Sequence, residues 1–479
     1  MQRRLVKLAL TGALVGGLLA SSTPAHAGND STERVLAMVG SDTTTFVMEQ
    51  LASHYNTSVT YNPDGDKVVN IPPLLWASPS VEAGEATQAS LAWIAAARST
   101  WPTAEFVPSD GDCSYNTFFG GLGAIDANGD GDQTDVGDSR YTSATIDGQT
   151  VRVGQVPPNG SGAGRTFALD SAQNPLGCVD LSRSSSAPSV AQQANFDTWA
   201  FALDAIGWVT MPGYNQGVTA LSQAQLNSIY TCSTTNVDNS VPADGDFDDP
   251  GDLKNGEPKI RFWGELNGNP TDTDRIKPYR IQLGSGTGSD VATTLLGLAS
   301  ANNIGSGCTG GPDPWYPTVQ EHDCRNVADV DKPAAICFYG YSRHKLQAKA
   351  LEADKRNGAK FQQFFIGAGT PLPPTPSTIT ETPATNYDGT RLVYTLIVKN
   401  HDGSGTDLPG FNDAITFAGV DPDSDGAGAD VVKAGFACNG GIAAKIIRTY
   451  GLVPLKKGVT DTGDSTYGST FCRHNKYAL

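Results

Sequence analysis

Three times along this chain a short apolar or alternating run ends at a turn of glycine and hydroxyl residues, and a helical pattern follows. The first unit is Val35-Leu36-Ala37-Met38-Val39, then Gly40-Ser41-Asp42-Thr43-Thr44, then Val47, Met48, Leu51, Ala52 and Tyr55 on one stripe, with Ser41 or Asp42 placed to cap the helix. The second runs from the alternating segment Thr150 to Val156 through Pro157-Pro158-Asn159-Gly160-Ser161-Gly162-Ala163-Gly164 towards a helix. The third joins Tyr279 to Leu283, through Gly284-Ser285-Gly286-Thr287-Gly288, to a helix carrying Val291, Leu295, Leu298 and Ala299. A chain that repeats strand, tight turn and helix must pack its helices on sheets. That gives α/β architecture with mainly open sheets and excludes coiled coil and collagen.

Other segments fit that class. Ala200 to Met211 is apolar, and Leu221 to Leu226 opens a helix with Leu226, Ile229 and Tyr230 on one face. Leu392 to Val398 is a continuous β-branched run, as in strands covered on both faces. A last helix, Ile442 to Tyr450, stops at Gly451 with Pro454 beyond. Residues 56 to 147 hold few periodic segments and several Asp, Gly and Pro turns, which predicts a large insertion. Gly369 to Asn386 is rich in Pro and Thr and predicts an extended connector. At 479 residues the chain has room for two or three domains.

Residues 2 to 27 read as an export leader: Arg3, Arg4 and Lys7, the apolar run Leu8 to Ala20, and Ala25-His26-Ala27 as the cleavage site. Cleavage removes basic residues and no acidic ones, so a chain of formal net charge −17 becomes more acidic still. That excludes nucleic acid and anionic membranes as partners. No later run reaches the ~18 apolar residues that span a bilayer. The expectation is a secreted, extracellular or cell-surface protein with Gly28, and no lipid-bearing Cys, at its new N-terminus. Eight cysteines (Cys113, Cys178, Cys232, Cys308, Cys324, Cys337, Cys438 and Cys472) lie beyond the leader without a C-x-x-C pair. They predict four disulfides among about 105 pairings. His322-x-Cys324 is the nearest approach to a zinc spacing, and zinc is not expected.

Taken in order, Gly40-Ser41-Asp42-Thr43-Thr44, Gly160 to Gly164, Ser184-Ser185-Ser186-Ala187-Pro188, Leu221 to Tyr230 and Gly284-Ser285-Gly286-Thr287 resemble the landmarks of phosphate-binding components of ABC transporters. Arg391 to Lys399 and Phe436 to Leu455 resemble secreted actinobacterial members of that group. The resemblance covers most of the mature chain thinly and leaves out 56–147 and roughly 343–385. It implies a two-lobed, periplasmic-binding-protein-like fold of type II, disulfide-stabilised. Lobe one would use 34–204 plus 386–479, with the insertion 56–147, and lobe two 205–385, hinged near Ala200 to Met211 and near the Pro-rich connector.

The same resemblance implies a non-enzymatic protein that binds a small oxyanion, phosphate above others, between its lobes. It needs no cofactor and has a membrane permease as candidate partner. Residue by residue, it places Asp42 and Thr43 in the first binding loop, Ser161 as a donor from the second, and Ser285, Gly286 and Thr287 as donors from the far lobe. The family's Asp falls on Ser186 when the Ala-Pro turn is aligned. The family's Arg lies four residues before its Gly-Ser-Gly serine, whereas Arg280 lies five before Ser285, which in a strand turns it to the other face. Arg183 is the rival cation, because a guanidinium suits bidentate contact with an oxyanion.

Asp126-x-Asn128-x-Asp130-Gly131-Asp132 matches the opening of a calcium loop, with Gly137 where the closing Glu belongs. Calcium is therefore a candidate ion, with Asp126, Asn128, Asp130 and Asp132 as its ligands. The sequence has no G-x-S-x-G, H-E-x-x-H or P-loop. Glu321-His322-Asp323 is the one dense polar cluster and reads as a hydrogen-bonded structural loop. The alternative for the whole chain is a surface or extracellular structural or adhesive protein on the same fold, calcium-stabilised and without a transport role. A secreted hydrolase is a third class, since triads assemble in space rather than in sequence.

Overall fold

The computed structural model describes residues 35–62, 65–70, 143–146, 149–152, 160–173, 179–236, 252–283, 285–309, 315–382, 385–399, 411–421, 433–456 and 471–477. The leader, the calcium-loop residues Asp126, Asn128, Asp130 and Asp132, most of the 56–147 insertion, and Cys113 and Cys178 lie outside them.

The fold is mixed α/β around a large central sheet. Among the described residues its ten strands are β1 (Val35–Gly40), β2 (Lys67–Asn70), β3 (Leu181–Ser184), β4 (Phe196–Thr210), β5 (Lys277–Pro278), β6 (Ala335–Gly340), β7 (Lys360–Phe361), β8 (Thr390–Val398), β9 (Val453–Pro454) and β10 (Arg473–His474). Their order is β2-β1-β3-β8-β4-β6-β5, and β7, β9 and β10 also pair with β4. β1 runs parallel to β2 and β3, while β8 is antiparallel to β3 and β4.

β4 organises the sheet. Its 15 residues are all buried, and at the usual strand rise they extend about 50 Å. Phe196 to Ala205 pairs with β8, and Ile206 to Thr210 pairs with β6. The change of partner falls inside the apolar segment Ala200 to Met211. β8 is likewise buried along its whole length. Strands that present apolar side chains to both faces in this way need cover on both sides, and the helices supply it.

Those helices are α1 (Thr45–Tyr55), α2 (Ser161–Gln173), α3 (Gln223–Tyr230), α4 (Gly286–Asp290), α5 (Tyr341–Ala348), α6 (Phe411–Ala418) and α7 (Ile442–Thr449). α1 buries the stripe Val47, Met48, Leu51, Ala52 and Tyr55 read from the sequence. Its N-cap position is Thr44 rather than Ser41 or Asp42, with no side-chain cap bond, and the Asp42 carboxylate is taken by Arg343. α3 starts at a capping box, Ser222 with Gln225, and buries Leu226, Ile229 and Tyr230. The helix expected through Ala299 is shorter: α4 passes into a π-helical turn, Val291–Leu295, and ends there. The strand expected over Thr150 to Val156 is Gln149–Arg152, paired with Ser143–Ile146.

Among the described residues, three disulfides join Cys232 to Cys308, Cys324 to Cys337 and Cys438 to Cys472. Cys324 is thereby removed as a metal ligand, so the His322-x-Cys324 spacing makes no zinc site. Among the described residues no helix is long and apolar enough to cross a membrane.

Candidate functional site

The first turn is shaped by a glycine and held by an arginine. Gly40 ends β1 at φ 120°, and a Cβ there would collide with the Arg183 carbonyl oxygen, so the position needs glycine. From the neighbouring strand the wholly buried Arg183 side chain reaches back. Its Nε donates to Ser41 O at 3.0 Å, Nη1 to Met38 O at 3.1 Å and Asn70 Oδ1 at 2.7 Å, and Nη2 to Gly40 O at 3.2 Å. Burial pushes its pKa down. Arg183, expected as a cation for the ligand, is instead a clamp on the main chain behind the turn. Arg280 lies in the short strand Arg280–Ile281, half-buried, and bonds to none of the cluster residues described next.

The first and third turns meet. Thr43 Oγ1 lies 3.2 Å from Thr287 Oγ1, across 244 residues of sequence. Between them stands a carboxylate from the chain itself. Glu321 Oε1 accepts from Thr43 Oγ1 at 3.1 Å and from Thr287 Oγ1 at 3.2 Å, and lies 3.1 Å from His322 Nε2. Glu321 Oε2 accepts from Ser285 Oγ, which also caps α4 by accepting the Gly288 N–H at 2.9 Å. Burial opposes the charge, but hydrogen bonds from His322 and Ser285 and the charge of Arg391 prevail and hold Glu321 down at about 2.

The second turn closes the cluster from the side. Ser161, the first residue of α2, is wholly buried. Its Oγ accepts the Ser185 N–H at 2.9 Å and lies 3.2 Å from Ser185 Oγ. Gly286 packs against it so closely that a Cβ would lie 2.8 Å from Ser161 Cβ. Ser186 sits one step away, held by Arg165, whose Nη1 donates to Ser184 Oγ at 2.7 Å and Ser186 O at 3.1 Å. The structure thus brings together Thr43, Ser161, Ser285, Gly286 and Thr287, with Ser186 on the Arg165 side.

The cation at the cluster is Arg391, at the head of β8. Its Nη2 donates to Thr287 Oγ1 and Asp204 Oδ2, both at 3.0 Å, and reaches Thr43 Oγ1 at 3.4 Å. Its Nη1 pairs with Asp290 at 2.9 Å. Its Nε is buried with no partner among the described residues. Burial pushes Asp290 up to about 6 despite that arginine. Asp42 faces Arg343, which pairs with it at 2.8 Å and with Glu352 on its other edge, and the two carboxylates raise the Arg343 pKa against the cost of burial. Sequence reasoning missed Arg391, Arg165 and Glu321. The available signals were a charge opening an otherwise apolar strand and the density of Glu321-His322-Asp323, which is part of the site rather than a structural loop alone.

Hydroxyl, imidazole and carboxylate are all present at Thr43, His322 and Glu321, yet they do not form a relay. Thr43 Oγ1, at 2.9 Å, and Glu321 Oε1 approach the same ring nitrogen, Nε2, while Nδ1 accepts the Gly340 N–H at 3.2 Å. That acceptance places the ring proton on Nε2, so no lone pair faces Thr43 to take its proton. Asp42, Glu321 and His322 also bring ligand atoms within 4.8 Å of one another, a spacing a metal ion could bridge. Arg343 already neutralises the first, and four donors already engage the second.

The site therefore belongs to a chain of mixed α/β class whose buried hydroxyls converge on an anionic group. No family model and no curated protein matches the sequence. Among solved structures, the chain is similar to an ABC-type phosphate transport receptor from Vibrio cholerae, at 14% identity over 87% of this chain and 99% of that one, with a TM-score of 0.40. PstS from Borrelia burgdorferi is 13% identical over 88% and 100%, with a TM-score of 0.36. A DING protein is 12% identical over 54% and 86%, with a TM-score of 0.31. At these identities and TM-scores the likeness assigns no function to the chain.

Proposed function

We propose that the chain is a secreted binding protein that holds a small oxyanion among Thr43, Ser161, Ser285 and Thr287, in a cleft between two lobes, with Arg391 as counter-charge and no chemistry done on the ligand. One observation carries the reading: a carboxylate, that of Glu321, already lies among hydroxyls drawn from distant turns and accepts hydrogen bonds on both oxygens. Phosphate, sulfate and free carboxylates offer the same acceptors, and charge-assisted bonds to them strengthen in a dry site. Phosphate comes first, on the resemblance of the ordered turns. A membrane permease is the partner class that receives such cargo. Calcium at Asp126, Asn128, Asp130 and Asp132 serves stability rather than binding in this reading.

Thermal unfolding of the dialysed, calcium-free chain against phosphate, sulfate and a series of carboxylates tests it. The expected result is a saturable rise for one anion, reduced in Ser285→Ala and Thr43→Ala. A ligand at a hundred times its Kd adds about 2.7 kcal/mol. No shift with any anion, together with a clear response to calcium, would establish the second reading, a surface structural protein. One observation favours that reading too: Glu321 occupies the donors that a ligand needs.

A further inference from the structure

The cluster is already occupied by part of the chain. We infer that Glu321 is the resident ligand of this cradle: its carboxylate holds the place a free oxyanion would take, ties the first turn to the third without solute, and sets how tightly any free anion binds. The inference rests on the oxyanion reading above and goes beyond it by naming the competitor.

Three features support it. The carboxylate has four polar contacts, three on Oε1 and one on Oε2, so both of its oxygens are engaged by the cluster. Its side chain is 2% exposed, and a second anion brought beside it would meet a like charge in a site with little water to screen it. The segment that bears it is also built to stay in place. Glu321 N–H donates to Gln282 Oε1 at 2.7 Å, His322 O accepts from Tyr339 Oη and from Gln347 Nε2, and Cys324 is bonded to Cys337. His322 itself stands at φ 60°, a left-handed conformation that costs a non-glycine residue energy and persists only where its surroundings enforce it. The absence of a side chain at Gly340 leaves room for the imidazole, since a Cβ there would lie 2.5 Å from His322 Cε1.

A tethered group competes with a free one at its effective concentration, which is high when the tether is short and pre-organised. Glu321 joins Thr43 across 278 residues of sequence, so the contact also does mechanically what a bound solute does in a two-sided site. Free anions enter in proportion to how often Glu321 leaves.

The test is calorimetric titration of inorganic phosphate into the full mature chain and into Glu321→Ala and Glu321→Gln, with folding checked by circular dichroism, and a thermal scan of each with acetate. The expected result is phosphate binding tighter by at least roughly tenfold in Glu321→Ala than in the natural chain, an intermediate gain in Glu321→Gln, and an acetate-induced rise in Tm in Glu321→Ala alone, where acetate refills the vacated donors. If Glu321→Ala does not fold, the shape-preserving Glu321→Gln decides by the same comparison. Phosphate binding as tight in the natural chain as in the variants would overturn the resident-ligand inference and leave the oxyanion reading standing. Folded variants that bind neither phosphate, sulfate nor acetate would overturn both.

Discussion

The two sides of the cradle are rigidified by different means. On the side of Thr43 and Ser161, the turns are held by buried arginines: Arg183 gathers the carbonyls of Met38, Gly40 and Ser41, and Arg165 gathers the Ser184 hydroxyl and the Ser186 carbonyl. On the side of Ser285 and Glu321, the frame is the Cys324–Cys337 disulfide with Tyr339 and Gln347 on the His322 carbonyl. One side depends on two cations and the other on a covalent link. A single truncation should therefore damage the first far more than any single hydrogen bond lost from the second.

Arg183→Ala gives the largest expected effect. It strands three carbonyls and Asn70 Oδ1, and each buried acceptor left unpaired costs about 1–3 kcal/mol, so the sum reaches several kcal/mol. Urea denaturation should show the midpoint falling with the slope unchanged. A loss below about 1 kcal/mol would mean that water or a rearranged loop replaces the guanidinium, and the contrast between the two sides would collapse.

The paired change Cys324→Ser with Cys337→Ser comes next. The bridge closes a short loop, with a sequence separation of 13, for which chain entropy predicts about 3 kcal/mol. The loss should leave anion response at the Thr43 side measurable while raising hydrogen exchange around Glu321 and His322. Equal loosening of the Gly40 turn would show that the two sides are one cooperative unit. Ser285→Ala is smaller, about 2 kcal/mol, because it removes one hydrogen bond to a charged acceptor that keeps three others, together with the cap of α4. An effect as large as that of Arg183→Ala would place the main strength of the site on the Glu321 side.

What the sequence revealed follows the range of the interactions. The three turns were legible because glycine and hydroxyl preferences act within a few residues: Gly40 is forced by its own φ, and Ser222 and Gln225 cap a helix within one turn. The buried strands β4 and β8 were legible as apolar runs. The charges at the site were not, because topology delivers them. Arg391 reaches Thr43 across 348 residues and Glu321 across 278, and the local signals, a charge opening an apolar strand and a dense polar triplet, do not say which distant turn either one meets. Arg183 illustrates the converse. Its guanidinium chemistry suggested ligand contact, but its side chain faces the neighbouring strand, where it satisfies the carbonyls at the end of β1.

The smallest effect sharpens the comparison by pH, because the site's two acidic neighbours titrate in opposite senses. Glu321 is held down at about 2 from an ordinary 4.5, so its contribution is complete above about pH 4.5 and is lost as pH falls towards 2. Asp290 is pushed up to about 6 from 3.8, so the folded state holds its proton more tightly than the unfolded chain does. Its contribution is complete below about pH 4 and is lost as pH rises through 6. Asp290→Asn should remove that decline, which linkage puts at no more than about 1 kcal/mol between pH 5 and 7 because the side chain keeps 18% of its surface in contact with solvent. The Tm of the variant should therefore flatten from pH 5 to 7 and still fall in acid, where Glu321 acts. If the variant instead loses stability at pH 7, the Arg391 pairing outweighs the burial of Asp290. The cation of the cradle would then be anchored by Asp290 as firmly as the first turn is by Arg183.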